Sequence, residues 1–470
     1  MIGVGVRLKN LHISSTSTKR SFCFVQSCAN RHSKNLAREG TLIAVALLVP
    51  WHQNHGIKMT VFENIRKELE KIKEYLNLSK EEMDYILEYK AVHKDEIEVS
   101  GEKMDAWRIM HNDVLGPGKG GIRFHPNVTE DEVKSLAFWM SIKNSLLGLP
   151  FGGAKGGVRF NPKEVSEEEL QEISREFVRK FHNHLGQDKD IPAPDVYTNE
   201  KIMSYMLDEF ESIKGRHEPG MITGKPIELG GCRIRYDATS RGGVIILEEI
   251  LKRKERKPEE TSVAIQGFGN AGMNVAKMLH DKGYNVIALS DSSSGLWWAD
   301  GLDVEAVIKH KRNTGKLSGF SNEISKDDIF GIDADVLILA ALEDQITNSN
   351  VDEIKSGYVL ELANGPVDFE ADSILTGNGV IVIPDILANA GGVVASYCEW
   401  VQNKTGHLHK KENMLDTLNE RMIKAFHSVY ELHKEKGFSM RMAAYIIAVE
   451  RILNAARLRG CLKSGEKVKK

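Results

Sequence analysis

"SVAIQGFGNAGMNVAKMLHDKGYNVIALSD", residues 262–291, decides the fold. It opens with a short apolar run of strand type. Gly267, Gly269 and Gly272 then spell G-x-G-x-x-G, and a helix-forming stretch closes at Gly283. A second apolar run ends at Asp291, 19 residues after Gly272. The glycine pattern alone is weak. After a strand, at the opening of a helix and with an acid closing the next strand, it reads as a dinucleotide-binding βαβ unit. Gly267 permits the tight turn, Gly269 lets a pyrophosphate approach the backbone, and Gly272 allows close helix–strand packing. The phosphates then meet free N–H groups at a helix N-terminus. Asp291 is expected to accept hydrogen bonds from the adenosine ribose, which favours NAD. Ser292, Ser293 and Ser294 could instead serve a 2′-phosphate, so NAD and NADP both stand.

Working outward, "ADVLILAAL", "YVLELAN" and "VIVIPD" repeat the strand pattern between helical stretches. That alternation predicts a parallel, doubly wound sheet from about residue 226. The last 60 residues read as long helices. Upstream, residues 60–95 have helical spacing, and "DEIEVS" with "DAWRIMHN" reads as a strand pair. "EDEVKSLAFWMSIKNSLLG" (130–148) is apolar nearly all round, as a buried helix is, and Lys143 shares the face of Leu136 and Met140. "SEEELQEISREFVRKFHNHLG" is an amphipathic helix with a Ser166–Glu169 capping box, a stripe from Leu170 to Leu185, and Gly186 as its stop.

The chain has 470 residues, 41% hydrophobic and 27% charged, room for two globular domains. A net charge of −3 points to neither nucleic acid nor an anionic membrane as partner. Five scattered cysteines lack metal-ligand spacing, so no metal site is expected. Residues 1–58 are basic and Ser/Thr-rich, with Glu39 as their single acid, a composition that suits an organellar transit peptide. The preferred reading is a poorly structured extension ahead of Met59. "TLIAVALLVPW" within it is too short to span a membrane.

Two further stretches are siblings: "GPGKGGIRFHP" (116–126) and "FGGAKGGVRFNP" (151–162). Each reads as a loop holding a lysine before two glycines, and neither is a P-loop, because no Ser or Thr follows the lysine. Lys119, Lys143 and Lys155 lie 24 and 12 residues apart in glycine-rich or apolar surroundings. Desolvation lowers a lysine pKa, and like charges nearby lower it further, so such an amine can act as a base. Lys155 has no acid beside it in sequence, which fits: a close acid would hold it charged.

These lysine stretches, the dinucleotide unit and "IPDILANAGGVVASYCEWVQN" (383–403) resemble the glutamate/leucine/phenylalanine/valine dehydrogenase family, and within it glutamate dehydrogenase. The resemblance implies an N-terminal α/β substrate and oligomerisation domain (59–225). It implies a Rossmann-type dinucleotide domain (226–403), with C-terminal helices (404–470) packing back on the first. Lys155 matches the family's catalytic lysine, and Asp195 the catalytic aspartate, expected across the cleft. Lys143 matches the binder of the substrate α-carboxylate, and Lys119, with Ser396, that of the side-chain carboxylate. Thr239, Asn270 and Asn364 join Gly267, Gly269, Gly272 and Asp291 as expected cofactor contacts. The implied reaction is reversible oxidative deamination of L-glutamate to 2-oxoglutarate and ammonia with NAD or NADP, in a cytoplasmic homo-oligomer, a hexamer by resemblance. A mitochondrial matrix location would follow if residues 1–58 were a transit peptide. Two alternatives are weighed. A branched-chain or aromatic amino-acid dehydrogenase would need an apolar residue at position 119. A silent dinucleotide-binding protein should have lost a catalytic residue. The chain departs from the family pattern at Ser240 and Leu362, where glycine is usual.

Overall fold

The computed structural model describes residues 61–462, so the basic extension and the "KSGEKVKK" tail lie outside the described residues. The region expected to be helical over 60–95 is two helices, Val61–Leu76 and Lys80–Leu87, followed by a strand. The break falls at Asn77, which has positive φ, and at Ser79, which caps the second helix through a capping box with Glu82.

Six strands follow: β1 (Ala91–Val99), β2 (Glu102–Asn112), β3 (Gly118–Lys119), β4 (Ile122–Phe124), β5 (Gly153–Val158) and β6 (Asp190–Ile191). β1 and β2 form a hairpin across Ser100 and Gly101, both at positive φ, as a tight two-residue turn requires. The first sheet has the order β1-β2-β5-β4, with β5 antiparallel to β2 and parallel to β4. The two lysine stretches are therefore not loops. Lys155 lies in the middle of β5, and Lys119 on β3, which pairs with β6.

Their glycines explain how residues disfavoured in strands come to build one. A Cβ at Gly153 would sit 2.5 Å from the Ala137 carbonyl oxygen, and one at Gly157 2.9 Å from the Val128 side chain. The Glu130–Leu146 helix thus lies directly on β5. Phe177, Phe181, Met206 and Phe210, from helices Glu167–Phe181 and Glu200–Lys214, pack with Ile122, Phe124 and Val158 in a second cluster. The amphipathic helix keeps its predicted capping box but ends at Phe181 rather than running to Leu185.

The second sheet contains β7 (Ser262–Gln266), β8 (Asn285–Ser290), β9 (Gly295–Trp297), β10 (Glu323–Ile324), β11 (Val336–Leu339), β12 (Tyr358–Glu361) and β13 (Ile381–Ile383). Its order is β10-β9-β8-β7-β11-β12-β13. The five strands expected from the sequence form its parallel core, and β9 and β10 add an antiparallel edge. Val263, Ile265, Val336 and Ile338 are fully buried, as expected where helices cover both faces. The chain runs from β7 to β8 on one side and later to β11 on the other. The C-terminal ends of β7 and β11 are therefore the switch point at which such sheets bind ligands.

The C-terminal helices Lys411–Lys436 and Met440–Leu458 pack back as expected. Ser145 on the Glu130–Leu146 helix donates a 2.8 Å hydrogen bond to the Ala448 carbonyl, and Arg457 holds Glu82. Arg441 is buried among Glu361, Asp372 and Asp385. Burial pushes Glu361 up to about 8 against the opposing pull of Arg441.

Candidate active site

A cavity of about 230 Å³ opens between the two sheets, and Lys119, Lys143, Lys155, Asp195, Thr239, Asn364 and Ser396 all line it. The three lysines are 1%, 8% and 5% exposed, so each has lost most of its hydration. Desolvation holds all three below the ordinary lysine range.

The surroundings of each differ. Lys143, on the Glu130–Leu146 helix, donates to Asn389 Oδ1 at 2.6 Å and Asn364 Oδ1 at 3.4 Å. Asn364 is thus tied to a lysine of the substrate cavity, and Asn389 was not foreseen. Lys119 has one weak acceptor, the Pro192 carbonyl at 3.4 Å. After burial, the charges of Arg235 and Arg108 depress it further. Arg108 is itself taken by Asp190 in a fully buried pair. Arg235 donates to Ser396 Oγ at 2.8 Å and the Gly392 carbonyl at 2.7 Å, so Lys119, Arg235 and Ser396 form one group. Arg235 stands four residues before Thr239 in "RIRYDATS", and an arginine so close to an expected contact was the signal available.

Behind Ser396, one turn along its helix (Gly391–Thr405), Glu399 is fully buried. Its carboxylate accepts from Lys225 Nζ at 2.7 Å and from the Gly224 N–H at 2.9 Å. Removing either partner of such a pair leaves an uncompensated buried charge.

Lys155 is where the structure corrects the sequence reading. An acid stands at close range: Asp195 Oδ2 is 3.1 Å from Lys155 Nζ. Gly121 admits it, since a Cβ there would lie 2.8 Å from Asp195 Cβ. Two features oppose the pull of that acid on the amine. Desolvation outweighs the attraction of Asp195, leaving Lys155 lowered. In addition, Arg123 Nε donates to the same carboxylate oxygen at 2.9 Å, dividing its charge, while the far end of Arg123 pairs with Glu132. Burial opposes ionisation of Asp195, but Lys155 and Arg123 together hold it down at about 2. Arg123 belongs to "GGIRFHP", quoted above without a role for it.

The glycine loop lies apart from this lining, at the end of β7. Gly267 has φ +94°, and a Cβ there would lie 2.6 Å from the Ala340 carbonyl carbon. A Cβ on Gly272 would overlap the Gly267 carbonyl, whereas Gly269 has nothing within 4 Å. Two glycines thus serve packing, and the middle one faces open space at the start of the Asn270–Asp281 helix, a fit for a pyrophosphate. The departure at Ser240 adds a tie here, its hydroxyl donating to the Ala271 carbonyl at 2.9 Å. Asn270 Oδ1 accepts from Asn274.

Asp291 directly follows β8, and its carboxylate is engaged within its own loop. Oδ1 accepts from Ser293 N at 2.7 Å, Ser293 Oγ at 2.5 Å and Ser294 N at 3.1 Å. Oδ2 accepts from Lys311 Nζ at 2.5 Å and Leu317 N at 2.8 Å. Three of these donors are backbone N–H groups, so the carboxylate organises its own loop.

Comparison with known proteins agrees with this geometry. Residues 230–460 match the family model described as glutamate/leucine/phenylalanine/valine dehydrogenase, and 88–212 match that family's dimerisation domain. The NADP-specific glutamate dehydrogenase of Synechocystis sp. is 44% identical over 75% of this chain and 85% of its own length. The cryptic catabolic NAD-specific glutamate dehydrogenase of Bacillus subtilis is 41% identical over 84% and 94%. The hetero-hexameric glutamate dehydrogenase of Thermus thermophilus, solved in a leucine-bound form, superposes with a TM-score of 0.81 at 32% identity, covering 85% of this chain and 97% of that one. The chain belongs to the glutamate/leucine/phenylalanine/valine dehydrogenase family.

Proposed function

We propose that this protein catalyses the reversible oxidative deamination of L-glutamate to 2-oxoglutarate and ammonia, coupled to NAD or NADP. The observation that carries this reading is the cation arrangement: Lys119 with Arg235 and Ser396 in one group, Lys143 in another, and Lys155 paired with Asp195. An amino diacid brings two carboxylates, one for each of the first two groups. A leucine or phenylalanine side chain would leave Lys119 buried without a counter-charge, which costs several kcal/mol.

Lys143 takes the α-carboxylate and Lys119 the side-chain carboxylate, with Arg235 orienting Ser396 beside it. The nicotinamide, when bound, supplies the acceptor for the hydride leaving Cα. Gly267, Gly269 and Gly272, the N-terminus of the Asn270–Asp281 helix, Asn270 and Thr239 hold the dinucleotide. Lys155 removes a proton from the water that adds to the resulting imine carbon. Asp195, 3.1 Å away, takes that proton from Lys155 and gives it to the nitrogen; Lys155 then takes the hydroxyl proton as the carbon–nitrogen bond breaks, leaving the keto group and ammonia. The cavity walls exclude other water, and the burial that lowers Lys155 favours its role as base. Residues 59–225 serve as substrate and oligomerisation domain, 226–403 as dinucleotide domain, and 404–470 as the returning helices. The protein works as a cytoplasmic homo-hexamer.

The test is reduction of NAD and NADP with L-glutamate, L-leucine and L-phenylalanine, for wild type and Lys119→Leu. Glutamate turnover should fall by about 10²–10³-fold in the variant, the equivalent of roughly 3–4 kcal/mol. Turnover with leucine or phenylalanine but not glutamate would overturn the substrate assignment.

A further inference from the structure

Arg108, on β2, is fully buried and lies behind the cavity lining, yet it meets both chain segments that build the cavity. Its guanidinium is divided between them. Nε donates to Asp190 Oδ2 at 2.8 Å and Nη2 to Asp190 Oδ1, a two-point grip on β6. Nη1 donates to the Gly120 carbonyl at 3.1 Å and the Gly121 carbonyl at 3.4 Å, immediately after Lys119. Asp190 begins the run "DIPAPD", which ends at Asp195 and carries the Pro192 carbonyl that Lys119 Nζ reaches. One side chain thus joins the segment of Lys119 to the segment of Asp195.

The backbone follows the same course. β3 pairs with β6, Gly120 N donates to the Ile191 carbonyl at 3.3 Å, and Ile122 N donates to the Ala193 carbonyl at 2.9 Å. A Cβ on Gly118 would lie 3.0 Å from Asp190 Oδ1, and one on Gly120 would overlap the Ala154 carbonyl. These glycines let the segment close on the ion pair and on β5 together. Lys155 is adjacent too, because Arg108 stands opposite Gly156 in the β2–β5 register. A buried ion pair contributes little net stability over packed apolar side chains. What it adds here is geometry, since a planar fork meets a carboxylate in one orientation.

We propose that Arg108, held by Asp190, is a positioning residue of the reaction: it sets the distance from Lys119 to the Lys155–Asp195 pair, and so the length of amino diacid whose Cα is placed at the base. The proposal rests on the glutamate reading of those residues and deepens it, naming the side chain that spaces the two ends of the site.

The test is steady-state kinetics on the full chain with L-glutamate and with L-aspartate, one methylene shorter. Arg108→Lys keeps the charge and loses the planar fork. It should lower kcat for glutamate by about 10²-fold, with the KM for coenzyme within about twofold of wild type, because only the substrate wall is respaced. The preference for glutamate over aspartate should fall as well. A glutamate kcat within about threefold of wild type would overturn the proposal. So would a loss shared equally by aspartate or by coenzyme KM, which would mean that the pair only holds the fold together. Where aspartate gives no rate with either protein, the glutamate kcat decides. If Arg108→Lys fails to fold, the paired change Arg108→Gln with Asp190→Asn, which leaves no lone buried charge, is read in the same way. Wild type turning over neither diacid would sink the glutamate reading, and this proposal with it.

Discussion

The two glycine-rich regions of this molecule use glycine for opposite ends. Around the lysines it makes room for protein: Gly121 admits Asp195, and Gly153 admits the Glu130–Leu146 helix. At the dinucleotide loop Gly267 and Gly272 pack in the same way, but Gly269 faces open space. The lesson is that a glycine cluster marks close approach without saying what approaches. The partner is identified by what a Cβ would meet. Around the lysines that close packing buries Lys155 and joins it to the half-buried Asp195, Arg123 and Glu132 in one chain of ion pairs.

The largest effect expected concerns the chemistry on the first side. Lys155→Ala should lower glutamate-dependent turnover by about 10²–10⁴-fold, the range for a lost general base, while dinucleotide affinity measured by titration stays at wild type. Parallel loss of both would mean that the two regions are not separable.

Next comes the contrast between glycines. Gly153→Ala should cost about 3 kcal/mol or more in urea unfolding, because the added carbon would lie within 2.5 Å of two backbone atoms, Ser141 N and the Ala137 carbonyl oxygen, as well as of Ser141 Oγ. Gly269→Ala should stay within about 0.5 kcal/mol of wild type, with its whole effect on dinucleotide binding. A Gly269→Ala protein that binds dinucleotide normally would break the comparison, since that glycine would then serve no ligand.

The smallest expected effect separates Arg123 from Asp195. Activity should rise with pH as Lys155 loses its proton, on a limb below the ordinary lysine range. Arg123 lowers Lys155 through its charge, so Arg123→Gln should move the limb to higher pH. Asp195 raises Lys155, so residual activity in Asp195→Asn should show the limb moved the other way. A pH–rate profile of kcat/KM for each variant reads both signs, and movement in the same direction would show that the pair does not set the base.

How much of this was legible in the sequence depended on the range of the interaction. The five parallel strands were visible because each is a short apolar run bounded by turn residues, a pattern that burial on both faces imposes locally. β3 and β5 were not, because their glycines argue against strands and only the helix and neighbours packed on them make glycine necessary. The lysines were visible as residue types, but Asp195, 40 residues beyond Lys155 in the chain, was expected across the cleft and not at 3.1 Å. Arg123 was in plain view in a quoted motif, yet nothing local says which carboxylates it will pair with.

The sequence by itself determined the parallel sheet, the capped amphipathic helix, and three lysines in surroundings that strip water from them. Those follow from periodicity and turn chemistry, which act over a few residues. Tertiary structure decided which acid stands by which base: that Asp195 meets Lys155 and Arg123 together, that Arg235 joins Lys119 and Ser396, and that Lys311 takes Asp291. Charge interactions vary with distance and local dielectric, and only the folded chain sets either.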